Sequence, residues 1–263
     1  MWGMASIYAN RGAKRAREAR AALGLDPAAP LHCLLGVVEE RAGLPVVVTA
    51  LPGEIAGACF DDGGGAVLWV DGSRSQSPPR RRFTLAHELG HAWCGHDGSV
   101  EVDTFATLSG RTSSPFEVQA NAFAAEFLVP RAGLDEVVTR EPTLEDTVVV
   151  ASSFGVSAIM VVYRFKQLGL ASERRIEQLE AEIEEKLHLA VSEDLDLPPR
   201  RDRLATIEHL PYLSPALEGS ALAAALRGDG PASAGLAGAV ARLLAVDVGF
   251  GHGDGGATPP ARP

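Results

Sequence analysis

The pentapeptide His87-Glu88-Leu89-Gly90-His91 limits what this chain can fold into more than any other stretch. On a helix, residues four apart share a face, so His87 and His91 can offer two imidazole nitrogens to one metal ion. Glu88 stands one step round from His87, where a carboxylate can reach a water beside the metal without being a ligand. The flanking residues Phe83, Leu85, Ala86, Leu89 and Gly90 are apolar or small. A helix of that character is buried, and buried imidazoles need partners.

A catalytic zinc usually takes three protein ligands and leaves one position for water. The nearest candidates for the third are His96, Glu101, Asp103 and Glu117. The pattern HExxHxxGxxH would need Gly at 94 and His at 97, where this chain has Cys94 and Asp97. Glu117 is the better candidate. It lies near the start of the stretch Pro115 to Pro130, in which Ala120, Phe123, Ala124, Phe127 and Leu128 recur at helical spacing. Pro115 can start a helix and Pro130 cannot continue one. Glu117 then sits in the first turn of a second helix packed on the first. Cys94 reads as a small residue packed beside the site in preference to a thiolate ligand.

Taken together, Arg82-Phe-Thr-Leu-Ala-His-Glu-Leu-Gly-His91 and the later Glu117-x-x-Ala-Asn121-x-Phe123-Ala-Ala125-x-Phe-Leu-x-Pro130 resemble the ImmA/IrrE family of metallopeptidases. The resemblance spans roughly residues 30 to 170. It implies a gluzincin-like core, an intracellular protein, and cleavage of helix-turn-helix repressors of mobile elements or DNA-damage regulons. Residue by residue, it implies His87, His91 and Glu117 as metal ligands and Glu88 as catalytic base. The cofactor it implies is zinc, with manganese as a replacement. In one place the chain departs from the pattern: many members carry a second Glu two residues before the Asn, and here that position is Gln119.

Charge and cysteine usage narrow the alternatives. A net charge of −10 over 263 residues argues against a dedicated nucleic-acid binder. Three scattered cysteines, Cys33, Cys59 and Cys94, fit a reducing compartment better than a disulfide framework. The chain shows no apolar region of signal-peptide type and no run of about twenty apolar residues. A soluble, cytoplasmic protein without a membrane partner is expected.

Along the chain, the basic, Ala-rich stretch from Arg11 to Leu23 reads as a solvated helix, and Leu31 to Ala42 as a helix with an apolar face. Leu44 to Val48 reads as a strand, and Ile55–Phe60 with Ala66–Asp71 as a β-hairpin around Asp61-Asp-Gly-Gly-Gly65. Ala66–Val70 is either a core strand or a sheet edge that holds substrate as an added strand. Gly72 to Pro79 is a polar linker, Arg80-Arg81-Arg82 a solvated basic run, and Asp97 to Ser114 a loop between the ligand helices. Residues 144 to 170 have helix-turn-helix spacing, with Ala151, Gly155 and Val161 in register and Ser157 as a cap. The second helix, with Ala158, Ile159, Met160, Val161 and Val162, is too apolar for a groove reader, so DNA binding is not favoured. Ser172 to Ala190 reads as one long amphipathic helix and Asp194 to Arg203 as a linker. Ala221–Leu226 and Leu236–Leu244 are weak helix candidates, and Gly249 to Pro263 has the composition of a disordered tail in which His252 is inert.

The fold expected is α+β. A zincin-like metallopeptidase core (1–135), with a small β-sheet on ligand-bearing helices, is followed by a helix-turn-helix-like segment (136–171), a helical C-terminal region (172–246) and a tail (247–263). The function expected is zinc-dependent hydrolysis of peptide bonds, with His96 or Arg111 as candidate donors to the oxyanion. The competing reading is a non-catalytic regulatory or DNA-binding protein that retains a metallopeptidase fold.

Overall fold

Two helices that each open on proline, Pro78–Cys94 and Pro115–Leu128, organise the molecule. Helix α1 spans Trp2–Ala22, α2 Leu34–Gly36 (continued by a π-turn, Val37–Arg41), α3 Pro78–Cys94, α4 Pro115–Leu128 and α5 Arg131–Asp135. Then come α6 Leu144–Phe154, α7 Ala158–Leu168, α8 Glu173–Glu184 and α9 Leu187–Asp194. The strands are β1 Val46–Thr49, β2 Ile55–Asp61, β3 Ala66–Asp71, β4 Glu101–Thr104 and β5 Tyr212–Leu213. The computed structural model describes residues 2–51, 53–61, 65–73, 76–96, 101–104, 114–135, 137–138, 140–195, 197, 204, 207 and 212–220. The loop tip at 62–64, Arg111, the helix candidates at 221–226 and 236–244, and the tail with His252 lie outside the described residues, as do the side chains of Glu101 and Asp103.

The α+β expectation holds. The sheet order is β4-β2-β3-β1-β5, with β1 parallel to β3 and the other pairs antiparallel. Side chains alternate across it, as strand geometry requires. Val46, Val48, Leu68 and Val70 face the helices in the main core, while Val47, Val67 and Trp69 face the other way. Leu217, beyond β5, closes that second face. The Tyr212 hydroxyl donates to Glu39 Oε1 at 2.8 Å, which ties this C-terminal segment to the π-turn. The main core runs on without a break through Leu134, Phe154, Val161, Phe165, Ile176 and Leu179 to Leu204.

Several expectations need correction. Ala66–Asp71 is an interior strand, so it is not an edge; β4 and β5 end the sheet. The stretch 97–114, read as a loop, contains β4. The amphipathic helix expected over 172–190 is two helices, broken where Lys186 takes a left-handed φ of 63°. Where the region after 204 is described, it holds a short strand and a 3₁₀ turn, because its apolar residues cover the sheet.

Helix α1 is not a solvated helix. It packs along α4, and a Cβ on Gly12 would lie 2.1 Å from the Gln119 carbonyl, so the two backbones meet directly. Arg20, 2% exposed, donates to the Phe127 carbonyl at 2.6 Å and to those of Asp26 and Ala29 at 2.5 Å. Arg81 and Arg82 are likewise buried; Arg81 donates to the carbonyls of Gly72 and Ser73, and Arg82 to that of Leu31. These guanidinium groups satisfy loop carbonyls that would otherwise be buried without donors.

A buried charge cluster joins α1, α4 and α7. Arg164 pairs with Glu126 and donates to the Val129 carbonyl at 2.9 Å, and Arg17 reaches Glu126 at 3.2 Å. Arg164→Ala is expected to destabilise the fold by about 3 kcal/mol, since it strands a buried carboxylate. The double change Arg164→Met with Glu126→Leu should cost less than the single one. Chemical denaturation of the three proteins checks this; a single variant as stable as the parent would refute the role given to the pair.

Candidate metal centre

The sequence of α3 dictates where its two histidines point. Ser77 is extended at the N-cap, Pro78 and Pro79 fill the first turn, and Gly95 ends the helix in the left-handed conformation at φ 65°. Ten of its residues, from Arg81 to His91 apart from Phe83, are buried. Helix α4 starts the same way, with Ser114 extended and Pro115 at the first position, and Glu117 lies in its first turn, 6% exposed. A carboxylate is favoured there by the unpaired N–H groups of the helix end.

Packing of α3 on α4 brings the three side chains together. His87 Nε2 lies 3.0 Å from His91 Nε2 and 3.2 Å from Glu117 Oε2, and His91 Nε2 lies 3.4 Å from Glu117 Oε1. Ligand atoms around a tetrahedral zinc at bond lengths of about 2.0–2.1 Å stand roughly 3.3 Å apart. The cluster therefore has donor types and spacing that could hold a metal ion, and all three residues are buried. Among the described side chains, Glu117 is the carboxylate that stands with the two histidines. His96 is engaged elsewhere: its Nδ1 lies 3.0 Å from His91 Nδ1, and its ring packs on Phe116 at 4.7 Å. Burial, with His91 beside it, pushes the His96 imidazole down to about 4. Cys94 sits against Gln119 and Arg15, and burial pushes its thiol up, away from the thiolate a metal would need.

Glu88 is wholly buried on α3. It faces β2, where Gly57 makes room for it: a Cβ on Gly57 would lie 2.4 Å from Glu88 Oε1, 2.5 Å from Thr84 Cγ2 and 2.9 Å from the Trp69 carbonyl. Gly57 is a site residue that the reading by spacing missed. Its signal was a glycine inside a strand pattern, which marks a close approach of another group. Gly57→Ala is expected to displace the Glu88 carboxylate and lower any turnover by about 10²-fold, with metal binding kept. Steady-state kinetics alongside a metal titration checks this, and unchanged turnover would show that the gap has no bearing on Glu88.

Beside the cluster lies a cleft of about 890 Å³, lined in part by Phe83, Asn121, Ala125, Met160 and Tyr163. Phe83 is one turn before His87, with ring centroids 6.5 Å apart, and Asn121 one turn after Glu117. Helices α6 and α7 meet at a bend of 107° around Gly155, with Ser157 capping α7 as its spacing indicated. The outward side of α7, with Ile159, Met160 and Tyr163, forms a wall of this cleft and carries few cations. No single helix among the described residues is long and apolar enough to cross a membrane.

Among curated proteins, none matches the chain. Residues 39–166 match the family model described as Peptidase M78, IrrE N-terminal-like domain, a span that holds His87, Glu88, His91 and Glu117. Residues 39–166, which carry the buried His-His-Glu cluster on two helices packed against a small sheet, are thus a domain of the Peptidase M78, IrrE N-terminal-like type.

Proposed function

We propose that the protein is a zinc-dependent endopeptidase of the cytoplasm that cleaves a helix-turn-helix transcriptional repressor and so derepresses its genes. The observation that carries the hydrolytic part is the convergence of His87 Nε2, His91 Nε2 and Glu117 within 3.4 Å of one another, with Glu88 buried on the same helix. The substrate class rests on the likeness of residues 39–166 to the IrrE N-terminal-like domain.

His87, His91 and Glu117 would hold the zinc, and manganese could replace it. When bound, such an ion acidifies water and polarises a scissile carbonyl. Glu88 accepts the proton of the attacking water and returns it to the leaving amine. The face of Glu88 toward Gly57 keeps the carboxylate in one orientation, since the strand backbone lies directly behind it. Strand β4 ends the sheet beside β2, and an extended peptide can add to such an edge through backbone hydrogen bonds.

The test is cleavage of a candidate repressor by the zinc-loaded protein, with fragments identified by mass spectrometry. A single cut that disappears with chelator and in Glu88→Gln supports the proposal. Repressor binding without any cut would favour a non-catalytic regulator that retains the fold.

A further inference from the structure

We propose that His96 is a positioning residue for the metal centre, whose Nδ1 accepts a hydrogen bond from Nδ1–H of His91 and so fixes the tautomer and ring plane of that ligand. The inference rests on the metallopeptidase reading and gives a third histidine, beside His87 and His91, a role in the site.

The argument starts from His91. Its Nε2 faces the cluster, 3.0 Å from His87 Nε2 and 3.4 Å from Glu117 Oε1. A neutral imidazole has one N–H and one lone pair, and a ligand nitrogen must present the lone pair. The proton of His91 therefore sits on Nδ1. The atom facing that Nδ1 is His96 Nδ1, at 3.0 Å. Two nitrogens at that distance share one proton, so His96 Nδ1 is the acceptor and its own proton is on Nε2.

The fold builds this contact locally. Left-handed Gly95 reverses the chain at the end of α3, and the His96 N–H returns to the His91 carbonyl at 3.2 Å. That turn lays the His96 ring edge-on to His91, with centroids 4.9 Å apart and planes at 74°. Phe116, next to the ligand Glu117, packs on the other side of His96. Metal-bound histidines commonly give their second N–H to a carboxylate or a carbonyl, and losing that partner costs about 10–100-fold in metal affinity. Here a neutral imidazole fills the position, so the ligand is oriented without a further negative charge in a buried site.

The experiment is a zinc titration at buffered free metal on the full chain, wild type against His96→Phe and His96→Asn, with the absorption spectrum of the cobalt-loaded proteins. Phenylalanine keeps the ring shape but cannot accept; asparagine places Oδ1 near the lost Nδ1. The expected result is zinc affinity weaker by about 10–100-fold in His96→Phe and largely restored in His96→Asn. The cobalt ligand-field bands should shift in the first and return in the second. Equal affinity in wild type and His96→Phe overturns the inference while leaving the metal site intact. Equal loss in both variants also overturns it, because the ring and not the acceptor would then matter. No zinc binding by wild type would sink the metallopeptidase reading, and this inference with it.

Discussion

Glu88→Gln is expected to lower kcat for peptide cleavage by about 10²–10⁴-fold with zinc affinity little changed. The change keeps size and shape, which matters here because Glu88 is fully buried and faces Gly57 and Thr84 at close quarters. A larger or smaller residue would disturb packing between α3 and β2, and the loss could then be blamed on structure. Glutamine cannot accept a proton from water, yet it can still hydrogen-bond. The two roles of that position, spacing and proton transfer, are therefore separated by a single atom. Loss of proton transfer acts on the transition state, so kcat and kcat/KM should fall together while KM stays put. A titration of zinc on the same preparation excludes loss of the metal as the cause. Wild-type turnover in Glu88→Gln would end the general-base role, and with it the mechanism proposed.

The parts of the site that lie within one helix were legible. His87 and His91 are four apart, and that spacing alone puts them on one face. Glu117 was favoured because Pro115 and the apolar repeat marked a helix start, although the meeting of α3 and α4 is a long-range packing event. The hairpin of β2 and β3 and the turn at Gly155 were legible for the same local reasons. What the sequence hid depends on partners far along the chain. Arg20, Arg81, Arg82 and Arg164 look like solvated cations until the carbonyls and the carboxylate they meet are known. The same holds for α1, whose glycine and alanines fit against α4 although its charge pattern reads as surface. The short strands β4 and β5 have little periodicity to detect and exist only because β2 and β1 offer edges.

The apolar outward face of α7 has a functional consequence. A helix-turn-helix reader needs polar and basic residues on that face to meet base edges and phosphates. Here the face is turned to a cleft shared with α3 and α4, and its largest exposed side chain is Tyr163. Arg164 points inward, where Glu126 and the Val129 carbonyl hold it. Ile159, Met160 and Tyr163 of this helix line the cleft, and the chain carries a net charge of −10.

Glu117→Ala should weaken zinc binding by more than the roughly 10²-fold that loss of an outer-shell partner brings, since a ligand itself is removed. Zinc stabilises the folded chain by RT ln(1 + [Zn]/Kd), about 4 kcal/mol when free zinc is a thousandfold above Kd. In wild type, added zinc should therefore raise the melting temperature, and in Glu117→Ala most of that rise should vanish. The metal-free proteins should differ much less. Glu117 is 6% exposed, and its carboxylate oxygens lie 3.2 and 3.4 Å from the two imidazoles. Removing it relieves a buried charge at the same time as it removes those contacts, so the two effects offset. Glu117→Gln sharpens the test: it keeps the shape but offers a neutral oxygen, and its zinc-induced rise should fall between the other two. Equal zinc-induced shifts in wild type and Glu117→Ala would show that the third ligand comes from outside α4, and the cluster would then have to be rebuilt around His87 and His91 alone.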